Sequence, residues 1–223
     1  LLRDRFNNIW LGSIGGGVLM IDTKQSPFAF YSLNLAEDDV PTTAVRALFA
    51  DADKDLWLGT GSYGLARKDY ETGVLSFFSH IPEFSDIPGV PTVNYIIQRK
   101  NGEVWFATYD GGILIYEKGE KVKVLTESDT PYLYSDCVSA LCEDSKGNCW
   151  VGCRGGMGIS LADGGHYRFG TLSFAGGGLA DWYHVKDIVE DADGSFWIAT
   201  ANYGIIHIMG DVQHPETLKY SNY

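Results

Sequence analysis

Aromatic side chains beside carboxylates are the residues of this sequence whose types best suit a chemical role. The densest group is Trp182, Tyr183 and His184, which directly follow Asp181. Others of the same character are Tyr63, Tyr109, Asp110, Tyr132, Tyr134, Arg154 and Tyr203. Aromatic faces pack on the axial hydrogens of a sugar, while carboxylates and amides bind its hydroxyls. We therefore expect these residues to bind an oligosaccharide or another small ligand. The alternative is that the rings fill the ends of the fold and the acids are solvated.

Charge narrows the ligand class. The chain has 17 Lys and Arg against 29 Asp and Glu, a formal net charge of -12. An acidic surface repels phosphate and sulfate, so we expect no nucleic-acid partner and a neutral sugar rather than a heavily sulfated one. Arg154 could still bind an acidic sugar, although a solvated surface arginine is the commoner case.

Enzyme chemistry finds little support in the sequence. The histidines follow no repeated spacing and form no triad, and no Gly-x-Ser-x-Gly motif or phosphate-binding loop is present. A lyase would need a histidine base with an acidic partner, and His184 beside Asp181 is the one candidate pair. We expect this region to have no catalytic residues.

The sequence gives equally weak support for a metal or cofactor site. The segment Asp51-x-Asp53-x-Asp55 resembles the start of a calcium loop, but it lacks the glycine at the sixth position and the distal glutamate. Corresponding turns carry Lys100 or Lys146. We expect an ordinary turn here, no metal and no cofactor.

The cysteines are concentrated in one short region, at Cys137, Cys142, Cys149 and Cys153. Their spacing contains no Cys-x-x-Cys pair of the kind that binds zinc. They could be buried thiols that pack as small apolar groups. A disulfide between Cys142 and Cys149 is the alternative, and an oxidising compartment would suit it.

A repeat provides the elements that must position these residues. Tryptophans at 10, 57, 105, 150 and 197 are separated by 45 to 48 residues, and each lies in a β-branched or aromatic run closed by a small residue. A valine stands 12 residues before each of the last four tryptophans, which indicates a preceding strand. A glycine seven residues after the tryptophan opens a third strand, and in the fourth copy we assign this role to Gly158 after a one-residue insertion. A fourth strand follows, clearest over 74–78.

Four short antiparallel strands per 45 residues predict an all-β fold, a β-propeller of four-stranded blades. We place the blades at about 1–35, 44–80, 92–126, 137–174 and 184–223 of a single region, 1–223. The turns between second and third strands lie on the same propeller face as the crossovers between blades. Loops of variable length on a repeating scaffold usually carry binding, so we expect the ligand on that face.

The repeated pattern resembles the regulator-propeller repeat of two-component systems. It consists of Val-x-x-Leu, then Asp, a turn, Leu-Trp-Leu-Gly-Thr, a Gly and an apolar strand. The best copy is 45–78, and the resemblance covers essentially the entire chain. In that family the repeats form the periplasmic sensor of hybrid two-component regulators, abundant in gut Bacteroides. There, seven-bladed propellers precede an immunoglobulin-like domain, a membrane helix and a histidine kinase. The same strand pattern also resembles the streptogramin lyase type of propeller.

The resemblance implies a periplasmic sensor region that binds a ligand without catalysing a reaction. Only five copies are present, so we expect a part of a larger propeller, although a closed five-bladed ring is an alternative. Partners would then be the remaining blades or a second protomer. No apolar run approaches the roughly 20 residues needed to cross a bilayer, and the first residues are no secretory signal, so we expect no membrane contact by this segment. A lyase-like enzyme and a protein-binding scaffold are the competing functions.

Overall fold

The computed structural model describes residues 1–5, 8–13, 17–21, 29–31, 44–61, 63–87, 89–169, 184–214 and 217–223. These residues form five four-stranded antiparallel sheets, in each of which the strands are neighbours in chain order. The predicted all-β fold class with four-stranded blades is confirmed. Two 3₁₀ turns, Phe78–His80 and Pro82–Phe84, follow the second sheet.

The strands are numbered in chain order. The first sheet contains β1 (Leu2–Arg3), β2 (Ile9–Ser13), β3 (Gly17–Ile21) and β4 (Ala29–Tyr31). The second contains β5 (Val45–Ala50), β6 (Leu56–Thr60), β7 (Leu65–Lys68) and β8 (Leu75–Phe77). The third contains β9 (Val93–Gln98), β10 (Val104–Thr108), β11 (Ile113–Tyr116) and β12 (Lys123–Leu125). The fourth contains β13 (Val138–Glu143), β14 (Cys149–Cys153), β15 (Gly156–Ser160) and β16 (His166–Phe169). The fifth contains β17 (Val185–Glu190), β18 (Phe196–Thr200), β19 (Ile205–Met209) and β20 (Lys219–Asn222).

Three of the strands that carry the repeat tryptophans, β6, β10 and β14, are apolar on both faces because both faces are covered. All five residues of β6, β10 and β14 are buried. A strand covered on both sides reads as a continuous apolar run rather than as alternating apolar and polar residues. This burial explains why the sequence shows the repeat so clearly in these strands.

Each of the five repeat tryptophans is held by a carboxylate, a contact that the sequence pattern did not predict. The indole nitrogens of Trp10, Trp57, Trp150 and Trp197 donate hydrogen bonds of 2.7–3.1 Å to an aspartate six residues earlier. That aspartate begins the hairpin between the first two strands, so one side chain joins the turn to the core. In the second sheet the aspartate is Asp51, and burial raises its pKa above the usual value.

The third copy replaces this arrangement. Arg99 occupies the aspartate position, and its guanidinium carbon lies 4.8 Å from the centre of the Trp105 ring. Glu103 accepts the indole hydrogen bond instead, at 3.0 Å. Carboxylate and indole therefore pair in all five copies, from two different positions in the sequence.

Two compact units divide the chain. One contains Leu1–Phe106 and Ile115–Lys123, and the other contains Ala107–Leu114 and Val124–Tyr223. In the first unit, Trp10, Val45 and Leu58 belong to an apolar cluster formed by the first two sheets. The ring of Trp57 packs 5.1 Å from Phe106 in the same unit.

The second unit has its own core between the fourth and fifth sheets. Trp150 is fully buried, and its ring lies 4.0 Å from that of Phe196. Met157 and Val185 join the same apolar cluster. Trp197, the equivalent of Trp150 in the fifth sheet, is only half-buried and stacks on His207.

The strand register corrects the assignment of Gly158. Gly59 pairs with Leu65, eight residues after its tryptophan, whereas Gly152 pairs with Met157, seven residues after its own. The fourth copy therefore has a turn one residue shorter, not one residue longer, and its third strand begins at Gly156. The short turn is possible because Gly155 has φ +89°, a left-handed conformation that favours glycine.

The two remaining ambiguities of the sequence concern cysteines and acidic turns. None of the four cysteines forms a disulfide; Cys137, Cys149 and Cys153 are buried, and burial raises the pKa of Cys142 to about 11. In the segment 51–55, Asp51 binds the Trp57 indole, whereas Asp53 pairs with Lys118 at 3.0 Å. Within the described ranges, no group of three or more His, Cys, Asp or Glu side chains is placed to hold a metal ion.

Among the residues described, no helix has the length and apolar character needed to cross a bilayer.

Candidate functional site

A cleft of about 840 Å³ opens in the second unit. Three of its walls come from the same turn, between second and third strands, in the third, fourth and fifth copies of the repeat. These turns contribute Tyr109 and Asp110, then Arg154 and Gly155, then Ala201 and Asn202. Each pair lies four and five residues after its tryptophan, so the repeat itself brings these residues together.

Crossover segments complete the cleft. The lining residues from the segment before β13 are Glu127, Tyr134, Ser135, Asp136 and Cys137, and His184 precedes β17. The Asp136 carbonyl accepts a hydrogen bond from the Gly112 N–H at 2.9 Å, and its carboxylate accepts one from the Glu127 N–H at 2.6 Å. Asp136 thus joins the crossover to the turn of the third copy and also joins the two ends of the crossover.

The turn that carries Arg154 is also fixed by its backbone. The Arg154 N–H donates to the Cys137 carbonyl at 2.9 Å, and the Ser135 hydroxyl donates to the Arg154 carbonyl at 3.0 Å. Arg154 and His184 form an isolated antiparallel β-bridge. The main chain is therefore held on both sides, while the Arg154 side chain is exposed.

Tyr134 lies flat against a glycine pair. A Cβ at Gly156 would be 2.5–2.6 Å from carbons of the Tyr134 ring, closer than real Cβ contacts. A Cβ at Gly155 would be 3.2–3.4 Å from the same ring. Only glycine at 156 leaves room for the ring in this position. Tyr109, by contrast, is 46% exposed and presents its ring to the solvent at the cleft.

The surroundings of His184 favour the neutral imidazole. Lys186 Nζ lies 3.3 Å from His184 Nδ1, and an ammonium can only donate, so Nδ1 is the acceptor and Nε2 carries the proton. Burial lowers the pKa of His184, and the nearby positive charges of Lys186 and Arg154 lower it further. Nε2 is buried and has no hydrogen-bond partner among the described residues.

The structure brings five of the predicted ligand-binding residues into this cleft, namely Tyr109, Asp110, Tyr134, Arg154 and His184. Trp182 and Tyr183, and with them Asp181, lie outside the described residues. Ligand binding by any of them stays a prediction.

The other predicted residues have packing contacts. Tyr63 is in the first unit, and its ring lies edge-on to Phe77 with centroids 6.1 Å apart. Tyr203 packs against the core of the second unit. Tyr132 is half-buried and its carbonyl covers Gly158.

Several residues that line the cleft were not among the predicted ligand-binding residues. Glu127, Ser135 and Asp136 lie in the predicted crossover, and Asn202 in a predicted turn, so their positions in the repeat were the available signal. Cys137 was interpreted only as a structural or disulfide cysteine. Its pKa is raised by burial and, to a smaller extent, by the nearby Asp110.

A second, smaller cleft of about 220 Å³ lies in the first unit. Its walls include Trp10, Lys54, Lys68 and Tyr70. The ammonium groups of Lys54 and Lys68 lie 4.7 Å and 5.6 Å from the centres of the Tyr70 and Trp10 rings. The lysines thus cover the aromatic faces that a sugar would need.

A family comparison points to the same wall of the large cleft. Residues 135–155 match the sequence profile described as "Two component regulator propeller". This segment begins at Ser135, includes β13 and β14, and ends at the turn that carries Arg154 and Gly155. No curated protein matches the chain.

Solved structures with this fold include extracellular domains of two-component systems and an enzyme. The extracellular domain of BT3049 from B. thetaiotaomicron, assigned as a hybrid two-component system, matches with TM-score 0.75 and 22% identity over 100% of this chain and 28% of that one. The extracellular domain of BT4673 from the same organism matches with TM-score 0.61 and 19% identity over 100% of this chain and 32% of that one.

Virginiamycin B lyase from Staphylococcus aureus matches with TM-score 0.70 and 14% identity over 100% of this chain and 68% of that one. At these identities the likeness concerns the fold. The chain therefore has the β-propeller fold, and its segment 135–155 is similar to the two-component regulator propeller repeat.

Proposed function

We propose that this chain is the extracytoplasmic ligand-sensing part of a two-component receptor and that the large cleft binds a carbohydrate. The regulator-propeller segment and the likeness to the extracellular domains of two hybrid two-component systems support the receptor assignment. The chain spans 28% of the length of the BT3049 domain, so a membrane helix and kinase belong to the proposal as parts of a longer receptor. A periplasmic location follows from the same proposal, and fractionation of the source cells by osmotic shock would test it.

The observation that carries carbohydrate binding is the composition of the cleft. Tyr109 offers an exposed ring, Tyr134 a second ring, and Asp110 a carboxylate on the same wall. Rings beside acceptors can bind both the apolar and the hydroxylated faces of a sugar. Ligand binding would act on the receptor by favouring one of two arrangements of its protomers.

The state of His184 supports binding rather than catalysis. A general base must reach the proton it removes, within about 3 Å or through one water. Nδ1 of His184 is already engaged by Lys186, and Nε2 is buried. His184 is therefore poorly placed to act as the base of a lyase, despite the fold shared with virginiamycin B lyase.

Calorimetric titration of the chain with a panel of oligosaccharides tests the proposal. Tyr109→Ala should weaken binding about 5- to 10-fold, because a stacked ring contributes on the order of 1 kcal/mol. Tyr70→Ala is the matched control, since both tyrosines are 46% exposed and Tyr70 lines the small cleft of the first unit. Equal affinity in Tyr109→Ala, or loss only in Tyr70→Ala, would contradict the assignment to the large cleft.

A further inference from the structure

We infer that the large cleft selects saccharides that carry a carboxylate, such as uronic acids; this inference rests on the proposed function. The starting point is Arg154, which lines the cleft with an exposed side chain. Its guanidinium forms no hydrogen bond or ion pair with any residue that the structure describes. The described carboxylates of the cleft therefore leave its five donors available.

The main chain that carries the Arg154 guanidinium is held in place by its neighbours. A backbone hydrogen bond to Cys137, a hydrogen bond from the Ser135 hydroxyl and a β-bridge with His184 hold the main chain of residue 154. A planar guanidinium binds a carboxylate through two parallel hydrogen bonds, and a rigid base reduces the entropy lost on binding. A lysine on a mobile loop would offer neither property.

A second cation lies on the same side. Lys186 is exposed, and its ammonium group lies 3.3 Å from the ring of His184, the bridge partner of Arg154. The positive charges of Arg154 and Lys186 both favour a lower pKa of His184 and of the Cys137 thiol, as expected if both cations lie near this part of the cleft. A ligand anion placed there interacts favourably with two positive charges.

Acidic residues elsewhere in the cleft limit the number of negative charges that a ligand can carry. Asp110, Glu127 and Asp136 also line the cleft, and the whole chain carries -12. These acids suit hydroxyl groups as hydrogen-bond acceptors and repel additional anionic groups. A saccharide with one carboxylate, bound by Arg154, and with hydroxyl groups elsewhere fits this lining. This ligand differs from the neutral sugar that the net charge alone predicts.

The test compares acids with their methyl esters. Trisaccharides of galacturonate and of glucuronate, each as free acid and as methyl ester, are titrated calorimetrically into the 223-residue chain. The ester keeps the sugar skeleton and removes the charge. We expect one acid to bind at least 10-fold more tightly than its ester, because a charged hydrogen-bonded pair is worth about that factor or more.

Substitutions test whether Arg154 causes the preference for the acid over the ester. Arg154→Gln should abolish the preference for the acid and leave affinity for the ester within about 2-fold, with an unchanged thermal unfolding midpoint because the side chain is exposed. Lys146→Gln removes one charge from an exposed ion pair with Asp211, away from the cleft, and should keep the preference. Equal binding of acid and ester by the unchanged chain, or a preference retained in Arg154→Gln, would overturn the inference. Failure of every saccharide to bind, in either form, would instead refute the proposed carbohydrate function.

Discussion

Indole nitrogens must find an acceptor once their strands are covered on both faces, and this requirement determines the chemistry of the hairpin turns. Asp144 is the most deeply buried example, with 2% of its surface exposed. One carboxylate oxygen accepts from the backbone N–H groups of Lys146 and Asn148, at 3.0 and 2.8 Å. The other accepts from the Asn148 side chain at 2.8 Å and from Trp150 at 3.1 Å. A single side chain therefore satisfies both the turn and the core.

Asp144→Ala should lower the free energy of unfolding by about 3 kcal/mol, because it leaves several donors without their acceptor. Chemical denaturation followed by circular dichroism measures this loss. Asp86→Ala is the control, since Asp86 is exposed and pairs only with exposed partners, and it should cost less than about 0.5 kcal/mol. Equal losses in the two variants would show that the buried carboxylate has no special role.

At the scale of the element, the turn after β14 differs from its counterparts in its length and in the residue that ends the preceding strand. Thr60, Thr108 and Thr200 end their strands with a hydroxyl that accepts a backbone N–H at 2.9–3.0 Å and shapes a longer turn. The fourth copy has Cys153 at this place, and a thiol is a weak acceptor. Its turn closes instead through Arg154 and Gly155, which leaves Gly156 under the ring of Tyr134.

Gly156→Ala should displace Tyr134 and weaken binding of any saccharide that the cleft accepts. Overpacking of this kind should also cost about 1–3 kcal/mol of stability. Gly89→Ala is the matched control, because neither glycine has a positive φ and a Cβ at Gly89 would meet nothing within 4 Å. Titration calorimetry and thermal unfolding of both variants check the prediction, and unchanged binding by Gly156→Ala would separate Tyr134 from the site.

Across the whole molecule, equivalent positions of the repeat do not have equivalent surroundings. Trp150 is fully buried beneath Phe196, whereas the half-buried Trp197 shares its face of the fifth sheet with the exposed apolar residues Val189, Ile205 and Met209. The tryptophan of a covered sheet contributes its full area to the core, and that of an uncovered face contributes only part.

Trp150→Ala should therefore destabilise the chain by about 3–5 kcal/mol, and Trp197→Ala by clearly less. The two variants control for each other, because each removes an indole and its hydrogen bond to an aspartate six residues earlier. Denaturant midpoints measure the difference. A larger loss in Trp197→Ala would mean that this face of the fifth sheet is covered in solution.

The sequence by itself determined the all-β fold, the period of the repeat and the chain segments that supply the cleft, because all three follow from residues that recur at a constant spacing. The tertiary structure alone decided which members of those segments meet. Tyr109, Arg154 and His184 lie far apart in the chain and converge only when successive sheets pack. Tyr63 and Tyr203 have the same residue type as Tyr109, yet they pack against core residues. The shortened turn at Gly156 followed from strand register, which depends on pairing between strands and not on spacing within one.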